Sequence, residues 1–96
     1  MTDITPMQTA EAVIFGVLKI EWRDGFVGIV DLRPVIASGE MFAFLHVEPA
    51  AFARVQLEEH GHKIYWLDPD GDEIDFGSFA LRERAHRQAE ILRLAS

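Results

Sequence analysis

Cysteine is absent from this 96-residue sequence, and that absence excludes several functional classes. Without a thiol the chain has no disulfide framework, no thiolate-bound zinc or iron–sulfur centre and no cysteine nucleophile. The sequence also lacks the run of about eighteen apolar residues that a membrane-spanning helix needs. Its first residues show neither the basic start nor the apolar stretch of a signal peptide, so we expect a cytoplasmic protein that does not enter the membrane.

Basic residues are scarce as well. Nine Lys and Arg stand against sixteen Asp and Glu, which gives a net charge of −7 at pH 7. Because an acidic surface repels phosphate, general nucleic-acid binding is disfavoured. Hydrophobic residues make up 49% of the chain, which argues against disorder, and the length predicts a single domain over residues 1–96.

The apolar pattern predicts an α+β fold with a mostly antiparallel sheet built from two β-hairpins. The first hairpin covers about residues 13–32, with one strand over 12–22 and a short segment ending in Gly25 before the next strand. A three-residue loop with Gly25 in the left-handed conformation sets the register. The predicted cross-strand pairs are Ile20–Gly28 and Leu18–Val30. Residues 1–11 are mostly polar and are predicted to form a loose N-terminal arm.

The second hairpin is predicted over about residues 55–67, with its turn at His60-Gly61-His62. Trp22 of the first hairpin and Trp66 of the second are expected to be core residues of the same sheet layer. Short connecting helices are predicted to begin near Pro34 and Pro49, because proline suits the first turn of a helix.

A polar loop over 68–78 is predicted to lead into a C-terminal helix over about 78–95, with Ser78 as its N-cap. The helix carries one narrow apolar stripe at helical spacing. The stripe residues are Leu81, Ala85, Ala89 and Leu92. Because Ile91 and Leu94 fall outside this stripe, we expect a second apolar face and a two-fold dimer with the helix in or near its interface.

Five acidic side chains crowd into the segment 68–75. They are Asp68, Asp70, Asp72, Glu73 and Asp75. Carboxylates at alternate positions can surround a hard cation, so a metal-binding protein or metal-assisted hydrolase is one alternative. The calcium-loop template of EF-hands fits poorly, because Glu73 stands where it needs Gly and Phe79 where it needs Glu. A Pro-Asp-Gly turn explains the same residues, and we assign no metal ligand.

The histidines do not complete a site. His60 and His62 could share a transition metal at the hairpin tip, but no third ligand of the usual kind lies nearby in sequence. His46 and His86 are isolated, which is typical of surface or half-buried histidines. No serine lies in a nucleophile elbow, and no phosphate-binding glycine pattern occurs. We therefore assign no catalytic or cofactor-binding residue, and the pattern favours a non-enzymatic function.

Charge is unevenly distributed along the chain. Residues 1–75 hold five basic and fourteen acidic side chains, whereas residues 76–96 hold four Arg and two Glu. The arginines of the helix are Arg82, Arg84, Arg87 and Arg93. A basic helix suggests a transcriptional regulator as a second alternative. The other interpretation, which we favour, places the helix against the acidic body of its own chain or of a second subunit.

Read together, several short motifs resemble a small prokaryotic family, the domain of unknown function 2442. The motifs are Trp22-Arg23-Asp24-Gly25, Val30-Asp31-Leu32, Phe42 with Phe44-Leu45, Phe52-Ala53-Arg54-Val55, and Trp66 followed by Gly71-Asp72 and Ile74-Asp75. The resemblance covers about residues 13–82. Some relatives carry a DNA-binding helix-turn-helix after this region, but here only one helix fits after Ser78. The family has no agreed catalytic residues, so none is transferred.

The resemblance implies a small accessory protein, and some members are discussed as parts of toxin–antitoxin-like pairs. Together with the lack of a catalytic constellation, it makes a protein-interaction module our leading hypothesis, one that regulates a genetically linked partner. The metal-binding and transcriptional hypotheses are the alternatives.

Overall fold

A computed structural model of the chain describes residues 5–95, so residues 1–4 of the predicted arm lie outside the described residues. The β-strands form two three-stranded antiparallel sheets, ordered β1-β2-β3 and β4-β5-β6. The strands are β1 (Met7–Ile14), β2 (Val17–Trp22), β3 (Val27–Asp31), β4 (Gln56–Leu57), β5 (Lys63–Leu67) and β6 (Glu73–Gly77). The helices are α1 (Arg33–Ser38), α2 (Ala43–Val47) and α3 (Ser78–Ala95), with 3₁₀ turns at Glu40–Phe42 and Pro49–Arg54. The predicted α+β class, with short helices and a C-terminal helix, is confirmed.

The first hairpin has the predicted register. Strands β2 and β3 pair antiparallel, with Ile20 opposite Gly28 and Leu18 opposite Val30. Gly25 lies in the three-residue loop with a φ of 92°, a conformation that glycine adopts without steric strain. The turn chemistry and the alternation of apolar residues therefore suffice to determine this element.

Two predictions about the first residues of the fold are wrong. The expected single strand over 12–22 is two strands, because the chain reverses at Gly16, whose φ is 82°. The loose arm predicted over 1–11 is contradicted from Met7 onward, because Met7 is fully buried and begins β1. Burial of the whole Met7 side chain explains why this mostly polar segment is held against the core.

The second sheet contains a strand that the sequence pattern did not predict. The turn before β5 and the inward-facing Ile64 and Trp66 agree with the predicted hairpin. Part of the expected polar loop is β6, which pairs with β5 and places Ile74 opposite Trp66 and Phe76 opposite Ile64. The expected loop thus consists of a turn between β5 and β6 and of strand β6 itself. Helix α3 begins directly after β6.

Buried side chains from both sheets and from all three helices form one continuous core. Trp22 and Trp66 are both buried, as expected, but they lie in different sheets and not in one layer. The sheets are linked through the β4–β5 turn, where Gly61 accepts a hydrogen bond from the Met7 amide (2.7 Å). The Ser78 amide donates to the His62 carbonyl (2.8 Å), which joins the start of α3 to the turn before β5.

Candidate functional site

The start of α3 is fastened to the body through Ser78, which is buried. Its hydroxyl accepts a hydrogen bond from the Trp22 indole nitrogen (2.9 Å) and donates one to the Thr5 carbonyl (2.5 Å). Ser78 is the first residue of the helix, but its hydroxyl bonds these distant groups, so the predicted N-cap role is wrong. One side chain thus joins α3, β2 and the segment before β1.

Arg82 is the second anchor of the helix. Its guanidinium forms two hydrogen bonds to the Asp24 carboxylate (3.0 and 3.2 Å) and lies 4.2 Å from the centre of the Phe26 ring. The Arg82 guanidinium, helped by the Phe26 amide, holds the pKa of the Asp24 carboxyl below its usual value. His86 stacks on Phe26 and accepts a hydrogen bond from Arg82 (3.0 Å) through Nε2. Arg82 is therefore occupied within its own chain.

Past this anchor the helix loses contact with the body. Leu81 and Ala85 of the predicted stripe are buried, but Ala89 is exposed and Leu92 is 59% exposed. We call residues 89–95 the α3 extension. Ile91 and Leu94 are exposed as well, so three large apolar side chains of the extension lack a covering partner within residues 5–95. The predicted stripe is therefore buried over its first half and exposed over its second half.

Two arginines flank the base of the α3 extension. No carboxylate of residues 5–95 lies within ion-pair distance of Arg84 or Arg87. Together with Ile91 they line a hollow of about 220 Å³ that α3 forms beside the end of β3. Asp31 lines the same hollow, but its carboxylate is bound by Arg33 (2.8 Å). The Arg33 guanidinium lowers the pKa of the Asp31 carboxyl accordingly.

The acidic segment closes the β5–β6 hairpin. The Asp68 carboxylate accepts hydrogen bonds from the Asp70 and Asp72 amides (2.9 and 2.8 Å), which organises the loop from within. Glu73 and Asp75 lie on β6, where both pair with Lys63. Glu73 raises the pKa of Lys63. Among the described residues, no three His, Asp or Glu side chains converge as metal ligands.

The histidine pair lies at the β4–β5 turn. The ring centres of His60 and His62 are 5.9 Å apart, and both amides donate to the carboxylate of Glu58. These two amides lower the pKa of Glu58. His46 is separate, with Nε2 3.3 Å from the Ile36 carbonyl oxygen. His60 and His62 therefore contact Glu58 through their backbone amides, in a turn motif.

An open groove of about 560 Å³ lies between α2 and the end of β5. The groove is lined by apolar side chains, including Phe44 and Leu67, by Tyr65 and by the Glu48–Arg54 ion pair (3.0 Å). The groove contains no serine, threonine, lysine or histidine side chain, and its polar lining residues include Glu48, Tyr65 and Asp68. No local pattern predicted this groove, because its residues come from separate segments of the chain.

Comparison with protein-family models, with curated proteins and with solved structures finds no match to this chain. The resemblance to the domain of unknown function 2442 therefore stays a prediction. Within residues 5–95, no helix combines the length and the apolar character needed to cross a bilayer.

Proposed function

We propose that this chain is a non-catalytic protein-interaction module that assembles as a two-fold dimer through α3. The proposal rests on one observation: the apolar stripe of α3 is buried at the start of the helix and exposed near its end. Leu81 is fully buried, whereas Leu92, on the same side of the helix, is 59% exposed. Exposed apolar surface of this kind usually marks an interaction site.

A second copy of the chain is the occupant we propose for the α3 extension. Within residues 5–95, Arg84 and Arg87 have no carboxylate partner, although acidic residues outnumber basic ones by sixteen to nine in the sequence. Carboxylates such as Glu11 and Glu21 are exposed or half-buried on the body. Two-fold pairing would bring the arginines of one copy toward the acidic body of the other.

We expect the dimer to be the form that binds a further protein. The resemblance noted above favours a regulatory role beside a genetically linked partner in a prokaryotic cytoplasm. A non-enzymatic role agrees with the absence of serine, threonine, lysine and histidine from the groove beside Tyr65 and with the internal bonding of the Asp68 loop.

The test compares the dimer dissociation constant of a double variant in the α3 extension with that of the unmodified chain. Ile91→Ser with Leu92→Ser removes two uncovered apolar side chains without touching the anchored part of α3. We expect the dissociation constant, measured by sedimentation, to rise at least tenfold. Val47→Ser is the matched control, because Val47 is also an exposed apolar helix residue but belongs to α2. Equal dissociation constants for the double variant and the control would contradict the role of the extension.

A further inference from the structure

Strand β3 forms one edge of the first sheet, and half of its backbone groups point away from β2. The Trp22 amide donates to the Phe26 carbonyl (2.8 Å), and the Leu32 amide donates to the Gly16 carbonyl (2.7 Å). In an antiparallel pair these bonds alternate, so the even-numbered residues of β3 face β2. The outward-facing residues are Val27, Ile29 and Asp31. Within residues 5–95, no hydrogen bond reaches the backbone N–H or C=O groups of these three residues.

The other sheet edges are protected in ways that β3 is not. Strand β4 has only two residues, and β6 carries Glu73 and Asp75. Strand β1 carries Glu11 and two register irregularities, and its first amide is bonded to Gly61. Proteins use short strands, charges and bulges of this kind to prevent edge-to-edge pairing. Strand β3 has no charged residue before Asp31, whose carboxylate is already neutralised by Arg33.

The side chains of the outward-facing residues add apolar surface to this open edge. Val27 and Ile29 are 48% and 39% exposed. Helix α3 covers the opposite face of the strand, where Gly28 lies against Ala85. The exposed apolar side chains of β3 thus lie directly beside its open backbone edge.

We propose that β3 pairs antiparallel with β3 of a second copy, about a two-fold axis at Ile29, so that one sheet continues across the dimer. This proposal rests on the proposed function and specifies the geometry of the dimer. With Ile29 on the axis, Val27 of each copy lies opposite Asp31 of the other. All outward N–H and C=O groups are then paired, which makes about six new backbone hydrogen bonds.

A second copy fits this edge better than an unrelated strand for two reasons. The outward-facing residues are spaced symmetrically about Ile29, so the edge is complementary to itself under a two-fold axis. The hollow that contains Arg84 and Arg87 opens beside Asp31, so these two arginines flank the same edge. The β3 edge and α3 therefore belong to one surface, which a single dimer interface can cover.

Ile29→Lys tests the pairing directly, because it would place two ammonium groups opposite each other on the axis. We expect a shift from dimer to monomer in light scattering, with the far-ultraviolet circular dichroism unchanged. Val13→Lys is the matched control: Val13 is an exposed β-branched residue on β1, at the other edge of the same sheet, and its variant should remain a dimer.

Amide hydrogen exchange on the unmodified chain decides the question even if the lysine variant folds poorly. Protection of the Val27 and Ile29 amides should rise with protein concentration, together with the dimer fraction. A dimer in which these amides exchange as fast as at high dilution would overturn β3 pairing and leave a dimer through α3 alone. A monomer at all concentrations would overturn both proposals.

Discussion

At the scale of single residues, Ser78 shows how one small polar side chain can hold distant segments together. Its hydroxyl satisfies the Trp22 indole N–H, a donor that would otherwise be buried without a partner. We expect Ser78→Ala to reduce the free energy of unfolding by roughly 1–3 kcal/mol, the usual penalty for leaving a buried polar group unsatisfied.

Chemical denaturation measures this loss, and Ser38→Ala provides the comparison. Ser38 also donates a hydrogen bond from its hydroxyl, to the Val35 carbonyl, but at an exposed position. Its replacement should change the unfolding free energy by less than about 0.5 kcal/mol. Similar losses for both serines would show that the link through Ser78 is unimportant.

Asp24 should make part of the stability depend on pH. Folding lowers the pKa of its carboxyl below the ordinary value of 3.8, first because of the hydrogen bonds from Arg82. The stability it contributes is therefore complete above the ordinary pKa and is lost as the pH falls through the lowered pKa of the folded state. We expect Asp24→Asn to lower the melting temperature near pH 7 and to lower it progressively less as the pH falls below the ordinary pKa of 3.8.

Thermal melts over this pH range provide the measurement. Asp70→Asn serves as the control, because it removes a carboxylate that is exposed and forms no ion pair within residues 5–95. If the difference between Asp24→Asn and the unmodified chain stays constant as the pH falls, the ion pair with Arg82 does not contribute to stability.

At the scale of elements, the packing of α3 on β3 depends on Gly28. A Cβ at this position would lie 2.7 Å from the Ala85 Cβ, a contact that requires the helix or the strand to move. We expect Gly28→Ala to destabilise the fold by roughly 1–3 kcal/mol through overpacking.

Gly77→Ala is the control for that substitution, since the nearest atom to its added Cβ is 4.0 Å away. Denaturant titration of both variants should leave Gly77→Ala within about 0.5 kcal/mol of the unmodified chain. A neutral Gly28→Ala would mean that α3 does not lie close against β3.

The β5–β6 loop should not bind calcium tightly. The Asp68 carboxylate already accepts two backbone amides, and these bonds define the turn without a cation. We expect millimolar calcium to leave the melting temperature unchanged. Calcium at a hundred times its dissociation constant would stabilise the fold by about 2.7 kcal/mol. A shift of several degrees that Asp70→Asn abolishes would instead favour the metal-binding alternative.

The first hairpin could be predicted because its alternating apolar residues and its glycine turn agree on one register. Strand β1 could not, since register irregularities between Met7 and Thr9 and between Ala12 and Ile14 break the two-residue period. Strand β6 was hidden because only Ile74 and Phe76 are apolar, and their burial depends on cross-strand partners in β5.

The candidate surfaces depend on arrangements that no local pattern encodes. The apolar stripe of α3 is visible in the sequence, but where the body stops covering it depends on the size of the folded core. Likewise, the open backbone of β3 follows from the order of strands in the sheet, which places Ile29 at an edge. The uneven distribution of arginines and the position of Ile91 and Leu94 outside the stripe pointed to α3 beforehand.

At the scale of the whole molecule, both proposals describe a small acidic protein that associates with a second copy of itself. Its net charge of −7 opposes association, and this repulsion between copies weakens as salt screens it. The apolar α3 extension and the unpaired edge of β3 favour association at all salt concentrations, because neither depends mainly on charge.

The mass of the full chain in solution, measured by light scattering at micromolar concentration and moderate salt, tests the dimer most directly. We expect a mass of about twice the 10.9 kDa chain mass, shifting toward a single chain only on strong dilution. A mass of 10.9 kDa throughout the micromolar range would contradict the proposed interaction module.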